Sequence, residues 1–397
     1  MTKYVDLLRR NRTIFRLNIM EFLGYFAAWF TSVALFTLFS NLNASVFMVS
    51  TLAALHFFPV VFLSPINGVI IDKIKPKKLL ISLIIIELIA TFFMIFIDSY
   101  ELLFLIFILL FIKMAAASIH FQTEMTIIAK KLNEDDLKLA NEIQSIIWSL
   151  AYILGMALSG IFVTFYGVTN AIIVDVLLFC IILIISFKLD LNDVKIDELE
   201  ENILNSIKYG LIYIKQNKKV LHLIFLHSII GLSAYEALVA LLAEYKYKEI
   251  LSISLAIGLI NAIRAVGLTI GQLILSKYAN KQSLFYIFLF QSFGIFLWSF
   301  LQENFYISMI GIILTGFFTT TLWSFTFTTL QQATDKKYLG RVLSYNDSIF
   351  MSIATTTSFF IGLLFEKGLN LQSITFLIGI GFFISAFYWK WIANRYL

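Results

Sequence analysis

The sequence of 397 residues contains a single cysteine, Cys180, and only three prolines. One thiol cannot form an internal disulfide, and the sequence has no Cys and His spacing typical of a zinc site. Charged residues are also scarce, at 14% of the chain, whereas 60% of the residues are hydrophobic. Because soluble globular domains have about a quarter charged residues, this composition excludes a soluble protein and predicts a membrane protein.

Most of the sequence consists of long apolar runs. A helix needs about 20 apolar residues to cross the hydrocarbon core of a bilayer. The sequence predicts such spans at 15–40, 46–71, 78–98, 102–126, 139–165, 169–188, 220–244, 251–276, 282–301, 305–328, 342–366 and 371–392. The first run is too long for a signal peptide, so we expect it to remain as the first span. The predicted fold is all-α, with twelve transmembrane helices.

A polar stretch divides the twelve runs into two sets of six. We expect an N-terminal six-helix bundle at 1–188, a cytoplasmic linker at 189–219 and a C-terminal six-helix bundle at 220–397. Two halves of equal helix number indicate an internal repeat with pseudo-twofold symmetry. Apolar residues at helical spacing around 203–214 indicate an amphipathic linker helix, which either lies on the membrane face or packs on the bundle.

The basic residues lie mostly on one side of this predicted topology. Of the 30 Lys and Arg residues, 25 fall on the side of both termini and two lie within spans. Only Lys246, Lys248 and Lys367 fall on the opposite side. The positive-inside rule then places both termini in the cytoplasm. We therefore expect a multi-pass protein of the plasma or inner cell membrane, surrounded by membrane lipids, with no nucleic acid as a partner.

The loop between the second and third predicted helices carries Gly68, Asp72 and a basic cluster of Lys73, Lys77 and Lys78. Glycine allows two helices to approach closely, and the carboxylate can pair with a neighbouring helix end. This loop resembles the signature of the major facilitator superfamily. The resemblance implies a conformational role for the loop and a secondary transporter that works by alternating access.

Further segments resemble the branch of that superfamily that contains macrolide-efflux proteins and the enterobactin exporter. In chain order they lie at 16–30, 136–141, 210–214 and 340–342. Gly155, Ser159 and Gly160 occupy the place of a glycine-rich packing motif in helix five. The resemblance implies an antiporter-type exporter of a small amphipathic molecule such as a drug, a siderophore or a metabolite. We expect a monomer without cofactor or metal.

Ionisable groups inside the membrane are costly, so they mark candidate proton or substrate sites. Glu21 lies on a stripe of small and polar residues in helix one, where a partly desolvated carboxylate can take up a proton. We expect Glu87 to pair with Lys113, and Arg264 to pair with Glu236. The remaining candidates are Asn261, Asp175 and His56. For each of these residues, a purely structural role is the alternative.

Two other functions fit the same pattern. A lipid translocator of the lysophospholipid-transporter kind shares the fold and a similar loop motif. A non-transporting membrane scaffold is the third hypothesis, although the sequence outside the spans provides no signalling domain. We do not expect an enzyme, because the sequence shows no nucleophile–base pair, metal cluster or phosphate-binding loop.

The orientation can be tested with a green fluorescent protein fused after Leu397. We expect fluorescence, since the reporter matures in the cytoplasm and the charge distribution places this end there. A reporter inserted after Asp98, in a predicted external loop, serves as the control and should stay dark. A dark fusion at Leu397 with a fluorescent one at Asp98 would overturn the orientation.

Overall fold

The computed structural model of the chain describes residues 2–191 and 203–397. All of its secondary structure in these two stretches is helical. The first eight α-helices are α1 (Thr2–Arg10), α2 (Arg12–Asn41), α3 (Val46–Leu55), α4 (Phe58–Lys73), α5 (Pro76–Met94), α6 (Leu103–Lys131), α7 (Glu134–Tyr166) and α8 (Val168–Phe187). The others are α9 (Ile203–Gln216), α10 (Lys218–Ser228), α11 (Glu236–Leu242), α12 (Ile253–Leu275), α13 (Ser283–Leu301), α14 (Phe305–Ala333), α15 (Leu339–Glu366) and α16 (Leu371–Tyr396). Most of the predicted acidic linker, at 192–202, lies outside the described residues.

Eleven segments of the described chain are long and apolar enough to cross a membrane, judged by length and composition alone. The helix α5 is not among them, and it carries Lys77, Lys78 and Glu87 within its 19 residues. Its bounds agree with the predicted third span at 78–98. The prediction of an all-α membrane protein is therefore confirmed, and eleven spans together with α5 agree with the predicted twelve.

The first of two compact units comprises Met1–Leu42 and Ile66–Glu200. In it α2 packs against α7 and α8, and α5 packs against α6. Its core contains the buried side chains of Leu17, Ile84 and Ile182. Lipid tails are as apolar as these side chains, so close packing and interhelical hydrogen bonds hold the helices together more than the hydrophobic effect does.

The helix-five motif lies at the contact between α7 and α2. A Cβ atom at Gly155 would lie 2.9 Å from Cβ of Trp29, which leaves no room for a larger residue. The Ser159 hydroxyl donates a hydrogen bond of 2.5 Å to the carbonyl oxygen of Phe30. Gly160 is buried as well. Small residues in α7 thus bring it close to the first membrane helix.

The second unit comprises Asn43–Pro65 and Glu201–Leu397. Within it α12 packs on α14, and α13 packs on α14 and α16. The helix α3 packs on α15, where Gly362 lies against Ser50. At the start of α3 the Phe47 amide donates to Glu366 Oε1 at 2.9 Å. Because of these contacts, the segment Asn43–Pro65 belongs to the second unit, although it lies within the predicted N-terminal bundle at 1–188.

The predicted single span at 220–244 is broken into several pieces. After α10 the chain forms a 3-10 turn at Ile229–Ser233, then α11, and then a π-helical turn at Ala243–Tyr247. At Gly231 a Cβ atom would lie 2.8 Å from the carbonyl oxygen of Phe350 in α15, so the chain approaches that helix closely here. Such a break frees backbone carbonyl groups, which then need other donors.

The linker helix α9 packs on the end of the second unit. The ring of Tyr213 stacks on that of Tyr338 with 4.4 Å between centroids. The Tyr213 hydroxyl accepts a hydrogen bond of 2.9 Å from the Asp335 amide. Of the two alternatives for this helix, these contacts favour packing on the bundle.

The helices α12 and α14 approach through glycines spaced four residues apart. Gly267 and Gly271 lie on one face of α12, and a Cβ atom on either would collide with the backbone of α14 at Ile313 or Phe317. Small residues at this spacing allow membrane helices to approach closely enough for strong van der Waals contact.

We expect Gly271→Ala to lower the thermal unfolding temperature of the detergent-purified protein, because its methyl group must displace the Phe317 carbonyl. Overpacking of this kind costs about 1–3 kcal/mol. Gly24→Ala is the matched control, since its Cβ atom would find Ile182 Cδ1 only at 4.0 Å. Equal unfolding temperatures for the two variants would contradict the close contact.

Candidate functional site

Buried ionisable side chains concentrate in the first unit. Six of them are buried in its described part: Glu21, Glu87, Lys113, His120, Glu124 and Asp175. Four come from the predicted candidates, whereas His120 and Glu124 do not. The six side chains form two groups at different depths.

The first group is an ion pair with a third polar partner. Lys113 Nζ of α6 lies 2.6 Å from Asp175 Oδ2 of α8, and both side chains are almost fully buried. The Thr31 hydroxyl of α2 donates to the same carboxylate oxygen. The ammonium group also lies 5.1 Å from the centroid of the Phe179 ring. This arrangement compensates the charge of Lys113 within the bundle.

The predicted pair of Glu87 and Lys113 is wrong. The prediction measured their depths from opposite helix ends, but α6 has 29 residues and α5 has only 19. Counted from the end that the two helices share, Glu87 lies level with His120. Lys113 lies seven residues further along, which corresponds to about 10 Å in a helix.

His120 is the centre of the second group, which we name the acidic cluster: Glu21, Glu87, His120 and Glu124. Nδ1 of His120 lies 2.7 Å from Glu87 Oε1, and Nε2 lies 3.5 Å from Glu124 Oε1. Glu21 interacts electrostatically with both Glu124 and His120. The cluster therefore joins helices α2, α5 and α6.

Sequence reasoning missed His120, although a signal was present. Lys113, His120 and Glu124 are spaced at i, i+7 and i+11, which places them on one face of a helix. A polar stripe in an otherwise apolar membrane helix faces the bundle interior. The polar stripe on α6 is thus the face whose Lys113 contacts Asp175 and whose His120 contacts Glu87.

The acidic cluster contains more carboxylates than it can neutralise. Even a protonated His120 compensates one of its three carboxylates, and Lys113 is already paired with Asp175. Leaving a charge uncompensated in a buried site costs several kcal/mol. Oε1 of Glu124 has only the 3.5 Å contact with His120 Nε2, and Oε2 of Glu21 has no hydrogen-bond partner among the described residues. The described side chains therefore leave an excess of buried negative charge in the cluster.

The second unit places Arg264 beside the break in its membrane segment Lys218–Tyr247. Its guanidinium group donates a hydrogen bond of 2.8 Å to the Ser233 carbonyl and lies 4.6 Å from the centroid of the Tyr235 ring. Glu236, in the first turn of α11, is buried and interacts electrostatically with Arg264. Asn261 donates at 3.0 Å to the Ile257 carbonyl of its own helix. Arg264 thus satisfies a backbone group that the helix break exposes. An exchange of partners between Arg264 and Glu236 stays a prediction.

The remaining candidates lie apart from these groups. His56 Nδ1 lies 3.0 Å from the Leu52 carbonyl at the end of α3. In the signature loop, Lys77 Nζ donates to the carbonyl oxygens of Phe187 and Leu189, at 2.9 Å and 2.8 Å, where α8 ends. Lys73 and Lys78 are exposed. The side chains of Gly68 and Asp72 lie outside those that the structure describes.

The sequence model of the Major Facilitator Superfamily matches residues 17–356. No curated protein matches the chain. The crystal structure of the nucleoside transporter NupG has a TM-score of 0.76 at 12% identity, covering 98% of this chain and 100% of that one. An auto-inhibited peptide transporter of the POT family has a TM-score of 0.78 at 10% identity, covering 98% of each chain. At such identities the likeness concerns the fold alone.

A double-mutant cycle tests the ion pair. We expect Lys113→Met or Asp175→Asn alone to lower the free energy of unfolding by about 3–5 kcal/mol, because each leaves a buried charge without its partner. The double variant should lose less than the sum of the two, as measured by unfolding in a denaturing detergent. Lys113→Met combined with Glu87→Gln is the control and should be additive within about 0.5 kcal/mol. Stronger coupling of Lys113 to Glu87 than to Asp175 would refute the pairing.

Proposed function

The chain belongs to the Major Facilitator Superfamily, and on this basis we propose that it is a secondary transporter that exports a small amphipathic molecule in exchange for protons. In this proposal the protein lies as a monomer in the plasma or inner cell membrane with both termini in the cytoplasm. The substrate crosses by alternating access, in which a central site faces first one side of the membrane and then the other.

The excess of buried carboxylates in the acidic cluster is the observation that carries the proton coupling. A carboxyl group in a low-dielectric site is more stable when protonated, and it releases its proton when water reaches it. A conformational change that alternates the water access of the cluster therefore alternates its proton content. Glu21 is the proposed carrier, since it lies on the first membrane helix and its Oε2 is buried without a hydrogen-bond partner in the described chain.

The cluster also provides a mechanical link between proton and helices. Protonation of Glu21 removes its repulsion from Glu124, which allows α2 and α6 to approach. Loss of the proton restores two like charges and favours their separation or hydration. The Lys113–Asp175 pair, with Thr31 of α2, remains neutral in both states and holds the deeper part of the bundle together.

The substrate side of the proposal rests on the second unit and on the sequence. Arg264 and Tyr235 place a cation and an aromatic ring beside a discontinuous helix, which is a frequent setting for substrate sites in transporters. The export direction rests on the segments that resemble macrolide-efflux proteins and the enterobactin exporter. NupG and the POT proteins carry nucleosides and peptides by their printed names, so both classes belong in a substrate screen.

The experiment that tests this function is a thermal-stabilisation screen of the purified protein followed by transport assays. A ligand that binds the folded state raises the unfolding temperature by mass action. The panel comprises macrolides, catecholate siderophores, nucleosides, short peptides and lysophospholipids. Each hit is then assayed in proteoliposomes with and without a proton gradient. Gradient-driven accumulation of an amphipathic hit supports the proposal, whereas gradient-independent movement of lysophospholipids alone would support a lipid translocator.

The coupling residue is tested by Glu21→Gln in the same proteoliposomes. We expect uphill transport to be abolished, while substrate binding and downhill exchange persist, because the amide cannot take up and release a proton. Glu101→Gln, at an exposed acidic residue before α6, is the control and should transport normally. Uphill transport that survives in both Glu21→Gln and Glu236→Gln would show that neither residue carries the proton.

A further inference from the structure

The N-terminal helix α1 is fixed on the first unit by one of its faces. Leu7 is almost fully buried, and the Tyr4 hydroxyl donates a hydrogen bond of 2.7 Å to Glu142 Oε2 of α7. Arg10 forms an ion pair with Asp136 of the same helix. The helix is therefore held in place, and the side chains of its other face have a defined position.

The opposite face forms an open groove with the start of α2. The groove has a volume of about 460 Å³ and is lined by Val5, Leu8, Arg9, Arg12 and Phe15. Val5 is 44% exposed and Phe15 is 47% exposed, so the apolar floor of the groove is accessible. The surface thus combines an apolar floor with two cationic side chains.

The two arginines of the groove differ from their neighbours in having no partner among the side chains and carbonyl groups of residues 2–191 and 203–397. Arg10 binds Asp136, and Arg16 donates to the Lys188 carbonyl. Arg9 and Arg12 are exposed and form no ion pair or hydrogen bond with any described residue. Two exposed guanidinium groups thus line one groove and are available to an anionic ligand.

The position of the groove indicates what binds there. Phe15 lies in the first turn of α2, which is the first membrane span, so the groove lies where a membrane helix enters the bilayer. The positive-inside pattern predicts that this is the cytoplasmic side, whose leaflet carries anionic lipids. At this depth an apolar floor meets acyl chains, and arginine side chains reach the phosphate groups.

We propose that this groove is a binding site for an anionic phospholipid. The guanidinium forks of Arg9 and Arg12 bind its phosphate, which offers the oxygen geometry that such forks match. The first part of an acyl chain covers Val5 and Phe15. The lipid thereby covers the face of α1 that lies opposite to the one that Tyr4 and Arg10 attach to α7. This proposal does not depend on the transported substrate or on proton coupling.

The test is lipid titration of the full-length purified protein by native mass spectrometry, with dioleoylphosphatidylglycerol as the probe and dioleoylphosphatidylcholine as the zwitterionic comparison. We expect Arg9→Gln combined with Arg12→Gln to weaken binding of the tightest phosphatidylglycerol at least tenfold, because both charge-assisted bonds to its phosphate are lost. Lys336→Gln combined with Lys337→Gln is the matched control, because it removes two exposed charges elsewhere and should leave that binding unchanged.

Two further measurements make the outcome decisive. Val5→Ser keeps both arginines and should weaken phosphatidylglycerol several-fold, because the acyl chain loses part of its floor. Inorganic phosphate at millimolar concentration should not displace the lipid. Equal losses in the two double variants, equal binding of both lipids, or displacement by phosphate alone would each overturn the proposal. Unfolding temperatures of all variants should stay close to that of the wild type, since the substituted side chains are exposed.

Discussion

A charge that is buried among membrane helices must be neutralised by a partner or by a proton, and this constraint orders the interior of the described chain. Lys113 is neutralised by Asp175 across α6 and α8. Arg264 is directed to a carbonyl group that a helix break leaves without its usual donor. Because lipid provides no water to solvate these groups, each contact also fixes the facing direction of the helices that carry it.

The acidic cluster is the place where side chains alone do not satisfy this constraint. Its three carboxylates share one histidine, and the remaining negative charge must be removed by protons or reached by water. The described part of the second unit buries one carboxylate, Glu236, and one guanidinium group, Arg264. We propose on this basis that the first unit binds protons and that the broken helix of the second unit contributes to the substrate site. This division of roles is part of the proposed function.

The sequence predicted the elements well because an apolar run of about 20 residues has few alternatives to a membrane helix. The span predicted at 282–301 corresponds to Ser283–Leu301, and that at 169–188 to Val168–Phe187. The break after Ser228 was not predicted, because it depends on the close approach of Gly231 to α15. The predicted pair of Glu87 and Lys113 was wrong because it depended on where the helices end. The predicted fourth span ended at 126, whereas α6 continues to Lys131, and the residue that lies level with Glu87 is His120, seven residues after Lys113.

The proposed proton coupling requires that the acidic cluster holds a proton at neutral pH, and infrared difference spectroscopy tests this requirement most directly. The protein in lipid would be compared with a variant that carries Glu21→Gln, Glu87→Gln and Glu124→Gln together. The account predicts a carbonyl-stretching band of a protonated carboxylic acid in the wild type that shifts in D₂O and is missing in the variant. A difference spectrum that contains only carboxylate bands would show that all three groups are ionised and would contradict the account.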